Sequence, residues 1–400
     1  MNNLSPGERA SLERIDAGAM LARVERWAAI NSGTRNLAGC AAMAAELADA
    51  FAALPGSVEL IEPAAVESVA ADGRVAQVAH GRHLRVSVRP EAPLRLLLTG
   101  HMDTVYPADH PFQALHWREP GILNGPGVAD MKGGLSLMLE ALLAIEAGGT
   151  RLGYDVIVNS DEETGSFSSA ALLADAAAGK VAALTYEPAL PDGTLAGARG
   201  GTGNFSIVVH GRAAHAGRNP EDGRNAIVAA GALAVRLHAE RSPRLAVNPA
   251  RIDGGGPNNV VPDLAVLRVN FRPADPAEIA RARAAIDAAV AAVQTDHDVA
   301  IAVHGSFNRP PKPIDGNAAR LFELVRGAGA DLGQPIAWRD TGGVCDGNNI
   351  AACGVPVVDT MGARGGAIHS ADEFLIVDSL AERAALSVVT MLRLAEGALA

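Results

Sequence analysis

Histidine and acidic side chains follow several apolar runs of this chain, at positions where they could bind metal ions. The run "LLLTG" leads directly into His101 and Asp103, and "AALTY" leads into Glu187. Further candidates are Asp130 in "GPGVADMKGG", the triplet Asp161, Glu162 and Glu163 after "DVIVNS", and His369 in "GARGGAIHS". Imidazoles with carboxylates are good ligands for zinc, and Co²⁺ or Mn²⁺ would be possible substitutes.

The number of these candidates favours two metal ions over one. An aspartate can bridge two ions through its two oxygens, so that each ion needs about one histidine and one further carboxylate. Two ions roughly 3.5–4 Å apart would share a hydroxide and polarise a reacting carbonyl. Their charge would also remove the repulsion within the acidic triplet, which is otherwise costly to hold together.

Each candidate also has a simpler explanation when it is taken alone. A single histidine at a strand end is more often structural, an acidic triplet is usually a solvated turn, and Asp130 before a helix would usually be an N-cap. Their joint position favours a site, because ligands of open α/β sheets bind outside the carboxyl ends of the strands.

The elements that carry these residues alternate between strands and helices. Short apolar runs at 94–100, 154–160 and 182–188 are typical of strands buried on both faces. Helical spacing of apolar residues covers 16–29, 37–53 and 133–149. The alternation predicts an α/β fold with a mostly parallel sheet between helices.

The pattern changes after about residue 200. The order there is β-α-β-β-α-β, which is that of a ferredoxin-like α+β unit. Its strands are expected at 204–213, 250–255, 264–273 and 299–307, and its helices at 225–240 and 275–293. The segments "GARGGTG" and "RPPKP" bound it as possible hinges. We therefore expect a discontinuous catalytic domain, 1–199 and 312–400, with an inserted domain at 200–311.

Composition narrows the functional class. The chain has 400 residues, a net charge of -11 and three cysteines, so neither nucleic-acid binding nor a disulfide framework is expected. No apolar run resembles a membrane span or a signal peptide, which predicts a cytoplasmic protein without membrane partners. A dinucleotide-binding fold is also disfavoured, because no G-x-G-x-x-G opens a helix after an early strand.

Six segments, in order, carry a resemblance to a known family. "GHMDTVYP", "GPGVADMKGG", "SDEETGSFSS", "YEP", "GRAAHAG" and the late "HS" resemble the co-catalytic zinc peptidases and deacylases. That family includes acetylornithine deacetylase, succinyl-diaminopimelate desuccinylase, aminoacylase and glutamate carboxypeptidase. The match spans about 95 to 375, and "EETGSFSS" and "YEP" look closest to the glutamate carboxypeptidases.

The resemblance implies roles for the candidate residues. It implies two Zn²⁺ ions, with Asp130 bridging them and Glu162 acting as general base. Asp103 would orient the imidazole of His101, and Asp161 would serve a loop-capping or supporting role. The implied ligands are His101 and Glu187 on the first ion, and Glu163 and His369 on the second.

The inserted domain is implied to act as a lid and as the contact of a homodimer. His215 in "GRAAHAG" resembles a lid histidine that reaches the scissile carbonyl, usually from the partner subunit. Asn259 and Arg272 resemble substrate-contacting residues, and Arg272 would bind a substrate carboxylate. An equally weighted alternative is that Arg272 is only a surface charge on its strand. Gly342 lies in "TGGVCDGNN", where the family commonly has a "GGTDA"-like segment, so Cys345 would alter the pocket wall.

The implied activity is hydrolysis of the amide bond of an N-acyl or peptidyl amino acid with a free carboxylate. A zinc-bridged hydroxide would attack, with Glu162 as base. A deacylase of a small N-acyl metabolite such as acetylornithine is the alternative enzyme. A metal-binding relative without turnover is the alternative outside enzymes, and the presence of Glu162 counts against it.

Overall fold

The computed structural model describes residues 3–399, and its largest sheet has six strands. Three of the five strand pairings are parallel, and the two at one edge are antiparallel. In spatial order the strands are Ser57–Ile61, His83–Val88, Gly153–Asn159, Arg95–His101, Ala182–Thr185 and Val357–Val358. The expected mostly parallel sheet is therefore confirmed.

Helices cover both faces of this sheet, which explains why its central strands are continuously apolar. Successive side chains of a strand point to opposite faces, so Leu96 and Leu98 enter one hydrophobic core while Leu97 enters another. The helices of this part of the chain are Pro6–Leu12, Ala17–Ala28, Leu37–Phe51, Gly134–Ala147, Ala170–Ala177, Gly316–Asp331, Asp346–Ala352 and Ser379–Ala395.

A second, antiparallel sheet has four strands and its own hydrophobic core. In spatial order its strands are Leu245–Gly254, Leu264–Pro273, Thr202–His210 and Ala300–Arg309, and its helices are Ala226–Ala239 and Pro276–His297. This is the β-α-β-β-α-β order expected from the sequence. Its first strand begins at Thr202 and its last ends at Arg309, and we retain 200–311 as the proposed extent of the inserted domain.

One strand of the second sheet is longer than the sequence pattern predicted. The strand expected at 250–255 begins at Leu245 and includes Pro249. Proline lacks the N–H that a central strand needs, but this strand lies at the edge of the sheet, where proline is tolerated. The register shifts between Pro249 and Arg251, as expected at such a position.

Smaller sheets complete the surroundings of the site. The hairpin Val66–Val69 and Val75–Val78, which the sequence analysis did not predict, packs Val69 against Val208 and Val266 of the second sheet. A two-stranded parallel sheet joins Leu195–Arg199 to Trp338–Thr341. A four-stranded sheet consists of Gly365–Gly366, Phe374–Ile376, Ile122–Asn124 and His116–Glu119, in that order.

Candidate metal centre

Three of the candidate ligands meet beyond the end of the central strand. His101 is the last residue of Arg95–His101, Glu187 follows the neighbouring strand, and Asp130 lies in the irregular segment before helix Gly134–Ala147. His101 Nε2 is 3.1 Å from Asp130 Oδ1 and 3.8 Å from Glu187 Oε2. The three side chains together form a group that could hold a metal ion.

A second group forms around the other oxygen of the same aspartate. Asp130 Oδ2 is 3.2 Å from His369 Nε2, which is also 3.2 Å from Glu163 Oε2. Asp130, Glu163 and His369 could hold a second ion. The two oxygens of Asp130 thus face different histidines, as a bridging carboxylate requires.

The carboxylates of this cluster shift the pKa values of its two histidines. Burial opposes a charge on His101, but hydrogen bonds to Asp103, Asp130 and Glu187 raise its pKa well above the usual value. Hydrogen bonds to Asp130 and Glu163 raise the pKa of His369 to about 10. In this arrangement the carboxylates favour positive charge beside them, which is the condition that divalent cations satisfy.

The carboxylates of the cluster respond to opposing effects. Burial raises the pKa of Asp130, but its two histidine partners outweigh burial and hold that pKa below the usual range. Burial raises the pKa of Glu163 to about 7 and also raises that of Glu187. Imidazole and carboxylate donors of this kind fit zinc, cobalt or manganese, so the residues present suit a metal centre.

Asp103 lies behind the cluster and contacts both His101 and the acidic triplet. His101 Nδ1 is 2.9 Å from the backbone oxygen of Asp103 and 3.5 Å from its carboxylate. That carboxylate accepts hydrogen bonds from the backbone N–H groups of Glu162 and Glu163, each at 3.2 Å, and from the Thr34 hydroxyl at 2.6 Å. The backbone oxygen therefore makes the closer contact with the imidazole, while the side chain holds the triplet.

Glu162 is buried beside the cluster but belongs to neither ligand group. Its Oε1 is 2.7 Å from Arg309 Nη2, and Arg309 also donates to the backbone oxygen of Glu162 at 2.8 Å. Burial raises the pKa of Glu162 well above the usual value, although the charge of Arg309 opposes this. A carboxyl group that lies beside the cluster but outside both ligand groups is placed to accept and release a proton.

Asp161 has a separate role within the triplet. It accepts hydrogen bonds from the backbone N–H of Ser168 at 2.6 Å, from the Ser168 hydroxyl at 2.8 Å and from the Ser169 hydroxyl at 2.7 Å. These contacts hold the loop that follows Glu163. The structure thus gives Asp161 the loop-capping function that the sequence left uncertain.

A cavity of about 330 Å³ opens beside the cluster and includes Glu162, Glu163 and His369 in its lining. Arg199 and Cys345 form part of its wall. Arg199 Nε donates to Asp359 Oδ2 at 2.7 Å, so its charge is already paired. Burial raises the pKa of the Cys345 thiol well above the usual value, and the thiol donates to Asp359 at 3.6 Å. A protonated, buried thiol is a poor nucleophile.

The other four predicted site residues lie apart from this cavity lining. His215, Asn259, Arg272 and Gly342 are exposed. Arg272 donates to the neighbouring Asn270 side chain at 3.0 Å, and Gly217 N donates to His215 Nδ1 at 3.1 Å. At the turn predicted to include Gly342, it is Gly343 that lines the cavity. The roles of these four residues therefore remain predictions.

Sequence reasoning missed two residues that contact the cluster. Arg309 was noticed only as the first residue of the hinge "RPPKP", because its contact with Glu162 joins positions 147 residues apart. Glu373 lies four residues after His369, and its carboxylate accepts hydrogen bonds from the backbone N–H groups of Ala129 and Asp130. Its proximity to a predicted ligand was the only sequence signal.

The amino-acid sequence of this chain is similar to those of several known proteins. The profile of "Peptidase family M20/M25/M40" matches residues 97–393. Carboxypeptidase G2 of Pseudomonas sp. (strain RS-16) is 30% identical over 287 residues, 69% of this chain and 68% of that protein. A putative succinyl-diaminopimelate desuccinylase of Mycobacterium tuberculosis is 29% identical over 299 residues, 72% of this chain and 79% of that protein.

Solved structures agree on the fold. The aminopeptidase PepT of Bacillus cereus superposes with a TM-score of 0.71 over 96% of this chain and 100% of that one, at 22% identity. At this identity the likeness supports the fold alone. Within residues 3–399, no helix has the length and apolar character needed to cross a membrane.

Proposed function

From the premise that the chain belongs to peptidase family M20/M25/M40, we propose that it is a dinuclear zinc amidohydrolase. Its substrate would be an N-acyl or peptidyl amino acid with a free carboxylate, as for a glutamate carboxypeptidase. Family membership makes it a hydrolase of peptides or acylated amino acids. The number of metal ions, their identity and the substrate class are the proposal.

One observation carries the proposal. Asp130 directs Oδ1 towards His101 and Oδ2 towards His369, with Glu187 and Glu163 beside the respective histidines. This supports one ion held by His101, Asp130 and Glu187, and a second held by Asp130, Glu163 and His369. When bound, such a pair would supply Lewis acidity towards the amide carbonyl and the attacking water.

Glu162 is suited to move protons in this reaction. It lies in the cavity wall outside both ligand groups, and Arg309 holds one of its oxygens. We assign it the general base that accepts a proton from the attacking water and then delivers that proton to the leaving nitrogen. Asp103 would keep Glu162 and Glu163 in place through its hydrogen bonds to their backbone N–H groups.

The inserted domain would complete the site in a homodimer. His215 of one subunit would donate a hydrogen bond to the developing oxyanion in the cavity of the other. Asn259 and Arg272 would bind the free carboxylate of the leaving amino acid. The exposure of all three side chains supports this part, because they are available to a partner.

Hydrolysis of a substrate panel with metal analysis tests the proposal. Purified protein should contain about two zinc ions per chain and should cleave N-acyl-glutamate or N-acyl-aspartate faster than their α-amides. If the protein binds metal but hydrolyses no member of the panel, the proposed activity would be wrong, whereas the proposed metal centre would still stand.

A deacylase of a small N-acyl metabolite is the second candidate. The similarity to the succinyl-diaminopimelate desuccinylase favours it, since that match covers as much of this chain as the carboxypeptidase match does. Faster turnover of acetylornithine or a succinylated diamino acid than of the acyl-glutamates and dipeptides would select this function.

A further inference from the structure

The buried carboxylate of Glu373 connects two segments of the proposed site. Glu373 lies shortly after His369 in the chain, and its side chain contacts the backbone of the segment that includes Asp130. Only 1% of its surface is exposed. Oε1 accepts hydrogen bonds from the backbone N–H groups of Ala129 and Asp130, both at 3.0 Å. Oε2 accepts from the N–H of Gly127 at 3.1 Å and lies 2.9 Å from the Tyr106 hydroxyl. One side chain therefore organises the backbone that presents Asp130.

The same residue is tied to the turn that presents His369. Its backbone N–H donates to the carbonyl of Ser370 at 3.1 Å. Asn124 Nδ2 donates to the backbone oxygens of Ala371 and Glu373, at 3.1 and 2.6 Å. The turn from His369 to Glu373 is thus closed on itself and anchored from outside, so movement of the Glu373 carboxylate would be transmitted to His369.

Strand pairing explains why these two segments lie side by side. Ile122–Asn124 leads into the loop of Asp130, and Phe374–Ile376 follows the turn of His369. The two strands are antiparallel neighbours, with Phe374 opposite Asn124. The sheet places the two segments side by side, and the Glu373 carboxylate hydrogen-bonds between them at the end where Asp130 and His369 lie.

The hydrogen bonds favour this bridging role over simple packing. Within residues 3–399 the Glu373 carboxylate makes no ion pair at salt-bridge distance, and three backbone N–H groups donate to its two oxygens. A side chain that cannot accept from all three N–H groups would leave a buried donor unpaired, and it would hold the loop of Asp130 less firmly.

We infer that Glu373 is a positioning residue that sets the separation of Asp130 and His369, and thereby the affinity of the site for its second metal ion. This inference rests on the proposed metal centre. The structure records the separation it would maintain, which is 3.2 Å between Asp130 Oδ2 and His369 Nε2.

The test is Glu373→Gln, which keeps the size of the side chain but replaces one acceptor oxygen with a donor that opposes the N–H groups. Zn²⁺ is titrated into the metal-free full-length chain in competition with a chelator, and Co²⁺ is used to record the visible absorption of the bound ion. We expect one of the two ions to bind about 10- to 100-fold more weakly, with an altered Co²⁺ spectrum. The melting temperature of the metal-free chain should stay close to that of the wild type.

Asp372→Asn is the matched control. Asp372 is the adjacent residue, but its exposed carboxylate pairs with Arg118 of strand His116–Glu119 at 2.8 Å. Zn²⁺ affinity and the Co²⁺ spectrum should remain at wild-type values. A second variant, Tyr106→Phe, removes a hydroxyl that lies 2.9 Å from Glu373 Oε2 and 2.8 Å from the carbonyl oxygen of Ser370. Because both contacts tie the turn of His369, the variant should weaken Zn²⁺ binding by about 2- to 10-fold, and it provides the measurement if Glu373→Gln does not fold.

The possible outcomes distinguish a failure of the inference about Glu373 from a failure of the proposed metal centre. Wild-type Zn²⁺ affinity in Glu373→Gln, whether or not the metal-free chain melts earlier, would show a purely structural role and overturn the inference. Wild-type affinity in Tyr106→Phe would overturn it in the same way. If the wild-type chain itself bound no Zn²⁺, the proposed metal centre would fail, and this inference with it.

Discussion

The proposed metal centre and the proposed lid residues differ in how far a single chain brings them together. His101 lies within hydrogen-bonding or ion-pair distance of both Asp130 and Glu187, whereas His215, Asn259 and Arg272 are exposed. His101 and Glu187 lie at the ends of neighbouring parallel strands of one sheet, and Asp130 lies in the segment that leads into helix Gly134–Ala147. Arg272 lies in a strand of the second sheet, which has its own core, and His215 and Asn259 lie in segments that connect elements of that unit. The proposed function therefore depends on a second subunit or a domain movement that would bring these exposed residues to the metal centre.

The largest effect is expected from removing the carboxylate shared by both ligand groups. Asp130→Ala takes one ligand from each ion, so metal content should fall from two ions to one or none and hydrolysis should become undetectable. Metal analysis and the substrate panel measure the two effects. Asp109→Ala, an exposed change nearby, should leave both unchanged. Full metal content in Asp130→Ala would refute the bridging assignment.

The next effect separates proton transfer from metal binding within the same cluster. Glu162→Gln should lower kcat by about 10²- to 10⁴-fold, the usual contribution of a general base, while zinc content stays at the wild-type level. The contrast with Asp130→Ala is the informative result. Unchanged kcat would exclude Glu162 as the base, and lost zinc would make it a ligand.

The third prediction addresses the lid directly. His215→Ala should reduce kcat by about 10²- to 10³-fold, because a donor to the oxyanion is lost. Mixing this variant with Glu162→Gln should restore activity if the histidine acts across subunits. Random exchange of subunits would then leave about a quarter of the sites with both residues intact.

Two controls complete that measurement. Each variant incubated alone should remain at its own low rate, and a dimer should be visible by light scattering. If the mixture is no more active than the mean of its parts although subunits exchange, the histidine acts within its own subunit or not at all.

The smallest effect is expected for the substrate carboxylate. Arg272→Ala should raise KM for N-acyl-glutamate by about 10- to 100-fold, in line with the loss of hydrogen bonds to a charged group. The KM of the corresponding α-amide should not change. Unchanged KM values for both substrates would indicate that Arg272 is a surface charge of its strand.

The strand ends were the most predictable part of this molecule. Parallel strands buried on both faces are marked by continuous apolar runs, and their carboxyl ends must share one edge of the sheet. His101, Glu163 and Glu187 could therefore be placed together from the sequence pattern alone. The inserted β-α-β-β-α-β unit was equally visible, because its helices and strands have distinct periods.

Contacts between distant segments were not predictable in this way. Arg309 pairs with Glu162 across 147 residues, and Glu373 reaches the loop of Asp130 across 243. No local pattern marks these partners, since any surface arginine or glutamate has the same sequence signature. The longer strand at Leu245–Gly254 was missed because its proline is tolerated only at an edge, and the edge is a property of the whole sheet.

By itself, the sequence determined which residue types lie at the ends of the buried strands. It also determined the order along the chain of the α/β part with the parallel sheet and the β-α-β-β-α-β unit. These features depend on local periodicity and burial. Only the tertiary structure decided that Asp130 faces both histidines, that Asp161 caps a loop, and that Arg309 and Glu373 hold the cluster from behind. These relations depend on how separate segments pack in space, where angles and distances of a few ångströms distinguish a ligand from a support.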